Sequence, residues 1–444
     1  MIDASRLSRS YRARTLPSAI EKRGGPLQQK RALPIAVSNA LRAMMSPPPP
    51  QLHMASGGDV GPRLRFVTPV FIYNESAAVK CYRIPSVIQT HSGVLIALAE
   101  ARHGRRCGDH TAVEIAQRVS RDGGQSWGPV ELILGNASHP LGNPCLVQAA
   151  NGILVLVLAR HDSTHLGDAV AANVVCTSND DGRTWSEPQD ISTEPWPPGR
   201  SGPGLALQLR HHAFKDRILT PISIGSHFNT STYVARSDDA GRTWRVSQTL
   251  LGRAFFYRMG HNATNVCSIP ATVEQIARPG SCYPGFDETQ LAERADGSVV
   301  LLVRHMMEPS WGRMLVVSED GGNSFGKLSF VSSIATSIVM GSLVSMEPRS
   351  SAMLYSGPAS RSRSNLSLWS TQDGGTTWSG PRLLNPGPSG NSGYSVLVRG
   401  YLRHSKCGAR RKECIGVLYE SGILSLSEEG VHCRYCVVFE RVPR

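Results

Sequence analysis

Arginine side chains at the ends of apolar segments are the groups in this sequence best suited to chemistry on an anion. Arg83 lies in the run Tyr82-Arg83-Ile84-Pro85, and three Gly-led apolar segments end in a basic residue, namely Gly93–Arg102, Gly152–Arg160 and Gly297–Arg304. A guanidinium group binds a carboxylate through two parallel hydrogen bonds. Because a proline disfavours the helical region for the residue before it, we expect an extended backbone at Ile84 that fixes the direction of Arg83.

The net charge also favours an anionic ligand. The chain has a net charge of +13, and residues 1–60 hold nine Lys/Arg against three Asp/Glu, which leaves about +7 for the rest. Nucleic-acid grooves combine a basic stripe with aromatic side chains, and the sequence has no such stripe. We therefore expect an anionic substrate and no nucleic-acid partner.

An eight-residue repeat organises the chain that must position these residues. Its pattern is Ser/Thr-x-Asp-x-Gly-x-Ser/Thr-aromatic, in which Asp accepts local backbone hydrogen bonds, Gly takes a positive φ and the aromatic ring anchors the turn. Each copy is therefore predicted to be a hairpin turn. The five copies are Ser120–Trp127, Ser178–Trp185, Ser237–Trp244, Ser318–Phe325 and Thr371–Trp378.

The spacing of the repeats predicts the fold. Their Asp residues are 58, 59, 81 and 53 positions apart, which is the length of a propeller blade of about four short strands. The length of 444 residues, with 43 Gly and 29 Pro, suits one closed, turn-rich β domain. We predict an all-β, six-bladed β-propeller, with extra residues between the third and fourth repeats where long insertions tend to carry function.

Residues 1–60 differ in composition from residues 61–444, which we assign to the propeller. They are basic and Pro-rich and lack strand alternation, so we expect a disordered extension; a targeting segment or a start codon placed too early are the alternatives. No apolar run approaches 18 residues, so no transmembrane span is expected. The compartment is cytoplasmic by default, or lysosomal or secreted if the N-terminus targets the chain, and the sequence leaves the oligomeric state open.

The ten cysteines do not define their own pairing. Cys407, Cys414, Cys433 and Cys436 could in principle bind zinc, but the first two are separated by six residues rather than two to four. We expect core thiols or one or two disulfides instead, and no metal site.

The Tyr-Arg-Ile-Pro motif followed by the repeats resembles the exo-sialidases, the neuraminidase family with a six-bladed propeller and repeats known as Asp boxes. The resemblance covers roughly residues 67–440. It implies an exo-α-sialidase that removes terminal sialic acids from oligosaccharides, glycoproteins or gangliosides with retention, without a cofactor or a metal.

The resemblance also implies three arginines that bind the carboxylate of sialic acid. Arg83 matches the first and Arg304 the second. Arg363, just before the fifth repeat, matches the third better than its neighbour Arg361. Glu420, in Leu418-Tyr419-Glu420, resembles a late glutamate that orients the first arginine.

The reacting groups follow from the same resemblance. A substrate carboxylate repels a carboxylate nucleophile, so sialidases use a tyrosine, which Tyr394 matches. A phenol has an ordinary pKa of about 10 and needs a base beside it; Glu288 matches that base, with Asp287 as its main rival. Asp109, between the first arginine and the first repeat, matches the acid that protonates the leaving oxygen.

Two other functions are compatible with parts of this pattern. A trans-sialidase would pass the sialyl group to a sugar instead of water, and Trp311 is a candidate for an aromatic acceptor clamp. A non-catalytic glycan-binding propeller would lack at least one of the arginine, tyrosine or acidic positions, each of which has an occupant here.

Overall fold

A computed structural model describes most of the chain after residue 66. Regular structure in this part is almost entirely β-strand, with a short 3₁₀ helix at His212–Phe214. The described residues include no helix long and apolar enough to cross a membrane. Three parts that the sequence analysis discussed lie outside them: residues 1–66, residues 253–284 between the third and fourth repeats, and Trp311. The described ranges are 67–72, 79–103, 107, 109, 112–162, 170–225, 230–248, 251–252, 285–305, 312–326, 328–348, 350–386, 392–400, 414–422, 424–426, 431–433 and 436–442.

The strands of the first half of the chain are β1 (Val67–Phe71), β2 (Cys81–Gln89), β3 (Leu95–Arg102), β4 (Val113–Ser120), β5 (Glu131–Leu134), β6 (Leu141–Gln148), β7 (Leu154–His161), β8 (Val170–Ser178), β9 (Gln189–Asp190), β10 (Arg200–Ser201), β11 (Gly204–Leu205), β12 (Leu207–Gln208), β13 (Ile218–Ile224), β14 (Ser231–Ser237), β15 (Arg245–Val246) and β16 (Leu251–Gly252). Those of the second half are β17 (Phe286–Glu293), β18 (Val299–His305), β19 (Arg313–Ser318), β20 (Ser329–Val331), β21 (Ser342–Ser345), β22 (Met353–Pro358), β23 (Leu366–Thr371), β24 (Ser379–Asn385), β25 (Ser395–Gly400), β26 (Cys414–Ser421), β27 (Leu424–Leu426), β28 (Val431–Cys433) and β29 (Cys436–Val442).

These strands form six blades around a central axis, which confirms the predicted six-bladed, all-β propeller. Blade 1 is β2-β3-β4-β5, blade 2 is β6-β7-β8-β9 with β11 added at its inner edge, and blade 3 is β10-β13-β14-β15. Blade 4 is β17-β18-β19-β20, blade 5 is β21-β22-β23-β24 and blade 6 is β25-β26-β29-β1. Strands β27 and β28 form a separate two-stranded sheet.

The ring is closed by strands from the two ends of the described chain. Strand β1 pairs antiparallel with β29, so that Val67 lies opposite Glu440 and Thr68 opposite Phe439. Phe71, at the end of β1, is fully buried. The outer strand of blade 6 therefore comes from the N-terminal side of blade 1.

The repeats are the turns between the third and fourth strands of blades 1 to 5. In the first copy, Asp122 accepts hydrogen bonds from the Ser126 backbone N–H at 3.0 Å and from the Ser120 hydroxyl at 2.8 Å, and Gly124 N–H donates to Ser120 Oγ at 2.8 Å. Equivalent bonds occur in the other four copies. Blade 6 cannot contain the turn, because its third and fourth strands are not consecutive in the chain.

Each repeat also packs against the preceding blade. A Cβ added to Gly124 would lie 2.3 Å from Phe439 in blade 6, and one added to Gly241 would lie 2.9 Å from Val155 in blade 2. The Trp127 ring meets Phe439 edge-on, with centroids 5.5 Å apart. The repeat thus ends a hairpin and also joins neighbouring blades.

The cysteines form at least one disulfide in the described part of the chain. Cys81 and Cys107 are bonded, with Cα atoms 5.9 Å apart, whereas Cys145 and Cys176 are buried free thiols. Cys436 is also disulfide-bonded, so the zinc alternative that included it is wrong: a half-cystine cannot supply a thiolate ligand. The described residues contain no group of three or more His, Cys, Asp or Glu side chains that could hold a metal.

Two truncations test the assignment of the extension and of the closing strand. Removing residues 1–60 should leave the melting temperature unchanged, because β1 begins at Val67. Removing residues 1–72 deletes β1 and should lower it clearly, since burial of one large side chain such as Phe71 contributes about 1.5–3 kcal/mol. Thermal unfolding of both variants and the full chain measures the difference. Equal melting of the two variants would contradict the role of β1, and early melting of the first would contradict the proposed extension.

Candidate active site

The candidate residues meet at one end of the propeller because of the strand directions. Innermost strands such as β2 and β17 begin at the same end at which the second strands β3 and β18 finish, as their antiparallel pairing requires. Arg83 and Glu288 lie near the starts of the inner strands, whereas Arg102 and Arg304 lie near the ends of the second strands. The Gly-led apolar segments of the sequence are these second strands.

The backbone at Ile84 differs from the expected extended conformation. Ile84 has φ of +56°, in the left-handed region, where the ladder between β2 and β3 is interrupted by a bulge. A β-branched residue in this region is an outlier that costs about 1–3 kcal/mol and persists only when its surroundings impose it. The preference set by Pro85 is thus overridden, and Arg83 is directed by the bulge instead.

Glu420 imposes this conformation through a set of hydrogen bonds. Its carboxylate accepts the Ile84 N–H at 2.9 Å, Arg83 Nε at 3.2 Å and the Tyr394 N–H at 3.2 Å. Burial would raise the pKa of Glu420, but Arg83, Arg363 and these N–H donors outweigh it and lower the pKa below its ordinary value. The carboxylate is therefore charged, and it fixes both Arg83 and the backbone before β25.

Tyr394, Glu288 and Arg304 form a buried hydrogen-bonded triad. The Tyr394 hydroxyl donates to Glu288 Oε1, and Arg304 Nη1 donates to Glu288 Oε2 and, at 3.1 Å, to the Tyr394 hydroxyl. Asp287 faces a different partner, Arg200 Nη2, at 3.4 Å. The structure thus places Glu288, and not its rival Asp287, against the phenol.

The phenol keeps its proton in the free protein. Burial, and then the neighbouring Glu288 carboxylate, raise the pKa of Tyr394 above its ordinary value, although Arg304, Arg363 and Arg83 act in the opposite direction. Glu288 is consequently the acceptor, and the phenol the donor, of the hydrogen bond between them.

Two further guanidinium groups flank the Tyr394 ring. The Cζ atoms of Arg83 and Arg363 lie 5.4 Å and 5.5 Å from its centroid, within the range of cation–π attraction. The structure thus places Arg363, the candidate that the sequence favoured, against the Tyr394 ring, whereas Arg361 is exposed.

Some hydrogen-bond donors of the cluster have no acceptor among the described residues. The Nε atom of Arg304 is buried without a hydrogen-bond partner, and no acceptor for the Arg363 guanidinium occurs among the residues that the structure describes. Unpaired buried donors are costly, and an anion placed among Arg83, Arg304 and Arg363 would satisfy them.

Asp109 stands at the open side of the cluster. Its side chain is 70% exposed, and Oδ1 accepts hydrogen bonds from Arg102 Nη1 at 2.7 Å and Arg83 Nη1 at 3.3 Å. Partial burial alone would raise the pKa of the carboxyl. The positive charge of Arg102, and then that of Arg83, outweighs the effect of burial and lowers the pKa. Asp109 is thus ionised in the free protein and shares Arg83 with Glu420.

Sequence reasoning missed the support beneath Asp109. Arg102 is 3% exposed and is bound by Glu100 Oε2 at Nε (3.0 Å) and Nη2 (2.6 Å), while Glu100 Oε1 accepts the Asn143 N–H at 2.8 Å. The signal was present, since Arg102 ends a Gly-led segment just as Arg304 does. Its partners are Glu100 in the same strand and Cys107 and Asp109 in the connection that follows.

One cavity lies away from this site. A cavity of about 530 Å³ opens at the other end of the propeller, where the inner strands finish, and is lined by Gln89, Gln148 and Arg399 among others. Two of its charged groups have protein partners: Glu293 accepts backbone N–H groups of Arg210 and His211, and Arg399 donates to a backbone carbonyl. The buried, unpaired Nε atom of Arg304 lies instead beside Tyr394.

Known proteins share both the sequence pattern and the fold. The family model for the BNR repeat-like domain matches residues 93–401. A sialidase of Bacteroides fragilis is 24% identical over 382 residues, covering 79% of this chain and 62% of the relative. A sialidase of Micromonospora viridifaciens is 26% identical over 378 residues, covering 77% and 50%. The chain thus spans between half and just over three-fifths of these curated relatives.

Solved structures of similar fold include sialidases. The Hadza microbial sialidase Hz136 superposes with a TM-score of 0.61 at 20% identity, covering 82% of this chain and 66% of that one. The intramolecular trans-sialidase from Ruminococcus gnavus gives a TM-score of 0.60 at 18% identity, with coverages of 84% and 97%. At such identities the likeness establishes the fold alone. Because the family model extends over more than half of its length, the chain belongs to the BNR repeat-like domain family.

Proposed function

We propose that the protein is a retaining exo-α-sialidase that hydrolyses terminal sialic acids from oligosaccharides, glycoproteins or gangliosides. The observation that carries the proposal is the Tyr394 hydroxyl, which donates to Glu288 among the guanidinium groups of Arg83, Arg304 and Arg363. The similarity to two sialidases, of Bacteroides fragilis and Micromonospora viridifaciens, supports it. The scheme uses no cofactor and no metal.

The arginine cluster suits a sugar with a carboxylate on its anomeric carbon. In this proposal Arg83, Arg304 and Arg363 bind the carboxylate, which places the anomeric carbon near Tyr394. A neutral nucleophile is favoured there, because a second carboxylate would be repelled by the first. The buried Glu288 carboxylate stays behind the phenol and acts through it.

The first step transfers two protons and exchanges one bond. The Tyr394 oxygen attacks the anomeric carbon while its proton passes to Glu288. The bond from that carbon to the leaving oxygen breaks, its electron pair stays on the oxygen, and Asp109 supplies a proton. In the second step, water attacks the adduct and gives a proton to Asp109; the Tyr394 oxygen leaves and regains its proton from Glu288. Two inversions give net retention.

Asp109 needs a proton to serve as the acid, although its pKa is lowered in the free protein. The lowering comes in part from Arg83, which is also a proposed carboxylate ligand. A bound substrate carboxylate brings negative charge to Arg83 and excludes water from Asp109, and both effects favour the protonated form. Binding of the substrate thus favours the protonated form of Asp109 that the first step requires.

Hydrolysis and transfer differ only in what accepts the sialyl group from Tyr394. Product analysis with and without added lactose separates them, because a trans-sialidase would form sialyl-lactose and a hydrolase would release free sialic acid in both cases.

The carboxylate-binding arginines make a paired prediction. Arg363→Ala should weaken binding of an unreactive sialic-acid analogue that keeps its carboxylate by about 1.5–3 kcal/mol for each charged hydrogen bond lost. Arg361→Ala is the matched control and should have a much smaller effect, because Arg361 is exposed whereas Arg363 lies against the Tyr394 ring. Calorimetric titration measures both, and the reverse ranking would contradict the assignment.

The nucleophile can be identified by trapping. A fluorinated sialosyl fluoride, which slows breakdown of the adduct, should label Tyr394. Mass spectrometry of a protease digest locates the label, and Tyr394→Phe is the control that should remain unlabelled. A label on Glu288 would exchange the two roles, and the absence of any label or turnover would reject the proposed function.

The effect of removing the proton donor should depend on the leaving group of the substrate. Asp109→Ala should lower cleavage of sialyl-lactose by about 10²- to 10⁴-fold, since a sugar alcohol leaves poorly without a proton. An aryl sialoside with an acidic phenol needs no such proton, so its first step should be spared while hydrolysis of the adduct is slowed. Rapid-mixing kinetics should record a burst of phenol followed by slow turnover. Equal losses on both substrates, without a burst, would mean that Asp109 does not move a proton.

A further inference from the structure

A disulfide joins the two segments that carry Arg83 and Asp109. Cys81 lies two residues before Arg83 on β2, and Cys107 lies two residues before Asp109 in the connection from β3 to β4. Cys81 is fully buried in the core, whereas Cys107 is partly exposed. The bond therefore anchors the partly exposed Cys107 to a buried position on β2, immediately beside the candidate site.

Among the residues that the structure describes, Cys107 and Asp109 receive side-chain hydrogen bonds from two arginines, because Arg83 Nη1 donates to Asp109 at 3.3 Å and Arg102 contacts both residues. Arg102 Nη1 donates to the Cys107 carbonyl at 3.3 Å and to Asp109 at 2.7 Å. The Asp109 side chain is otherwise largely open to solvent. Side-chain hydrogen bonds from two guanidinium groups hold the carboxylate, but they constrain the Asp109 backbone less than a covalent bond two residues away does.

We infer that the Cys81–Cys107 disulfide is a positioning device for the proton donor, which holds the Asp109 backbone at a fixed distance from the carboxylate-binding Arg83. The inference rests on the proposed sialidase function. It assigns the bond a catalytic effect through Asp109, in addition to any effect on stability.

Proton transfer is sensitive to such a displacement. A general acid must lie within hydrogen-bond reach of the leaving oxygen, and a shift of about 1 Å can cost on the order of 10²-fold in rate. Loss of the bond should leave the other site residues in place, because they are held by contacts that do not involve the disulfide. These residues are Arg83, Arg304, Arg363, Glu288 and Tyr394. The expected defect is selective for substrates whose leaving group needs a proton.

The test compares Cys107→Ala and Cys81→Ala, which break the same bond from opposite ends. In both, kcat/KM for sialyl-lactose should fall by about 10- to 100-fold, while the burst rate on an activated aryl sialoside should change by less than about twofold. Cys107→Ser is a further variant at a partly exposed position in case an alanine variant does not fold. A reducing agent is unsuitable, because Cys436 is disulfide-bonded as well.

A double-mutant cycle separates positioning from stability. In an Asp109→Ala background, Cys107→Ala should cause no further change in the ratio of the two substrates' rates, because the group that the bond positions is already absent. Cys145→Ala, which removes a buried free thiol in blade 2, is the matched control and should leave the ratio unchanged.

Two outcomes would overturn the inference. An equal loss on both substrates in the cysteine variants, or an additive loss in the Asp109→Ala background, would mean that the bond only stabilises the fold. A wild-type protein that cleaves neither substrate would instead reject the proposed function, so the two failures are distinguishable.

Discussion

The arrangement of the site depends on one buried carboxylate. Glu420 holds the Arg83 side chain, the left-handed Ile84 N–H and the Tyr394 N–H, and so connects the inner strands of blades 1 and 6. Because the folded-state pKa of Glu420 is lowered, it stabilises the fold above the ordinary carboxyl pKa of about 4.3, and this contribution is lost as the pH falls through the lowered value. Without that charge, the strain at Ile84 and the buried guanidinium of Arg83 would both be uncompensated.

Three guanidinium groups around one phenol would repel each other in isolation. Two carboxylates compensate two of these positive charges. Burial alone would lower the pKa of Arg304 and of Arg83, but Glu288 raises the pKa of Arg304 and Glu420 raises that of Arg83. No hydrogen bond joins Arg363 to either carboxylate among the described residues, so its positive charge is not compensated in the same way. This uncompensated positive charge, rather than the number of arginines, is what an anionic sugar would neutralise.

The sequence predicts those features that are determined by local interactions. The repeats were predictable as turns because Asp122 and its equivalents bond within four residues. The order of the candidate residues could be read from the resemblance, and the structure brings them together. The left-handed Ile84 and the Cys81–Cys107 pairing could not be predicted, because each depends on contacts between separate segments of the chain. Glu420, for example, is 336 residues from Ile84.

The candidate site lies at the seam where the ring closes. Arg83 belongs to blade 1, whereas Glu420 belongs to the second strand of blade 6, which pairs with β29 and through it with β1. Packing at the seam also includes the first repeat, whose Trp127 meets Phe439 on β29. Each of the other arginines comes from a blade that is complete in sequence, but the Arg83–Glu420 contact exists only when the two ends of the domain have joined. Closure of the ring is therefore a precondition for the carboxylate site as well as for stability.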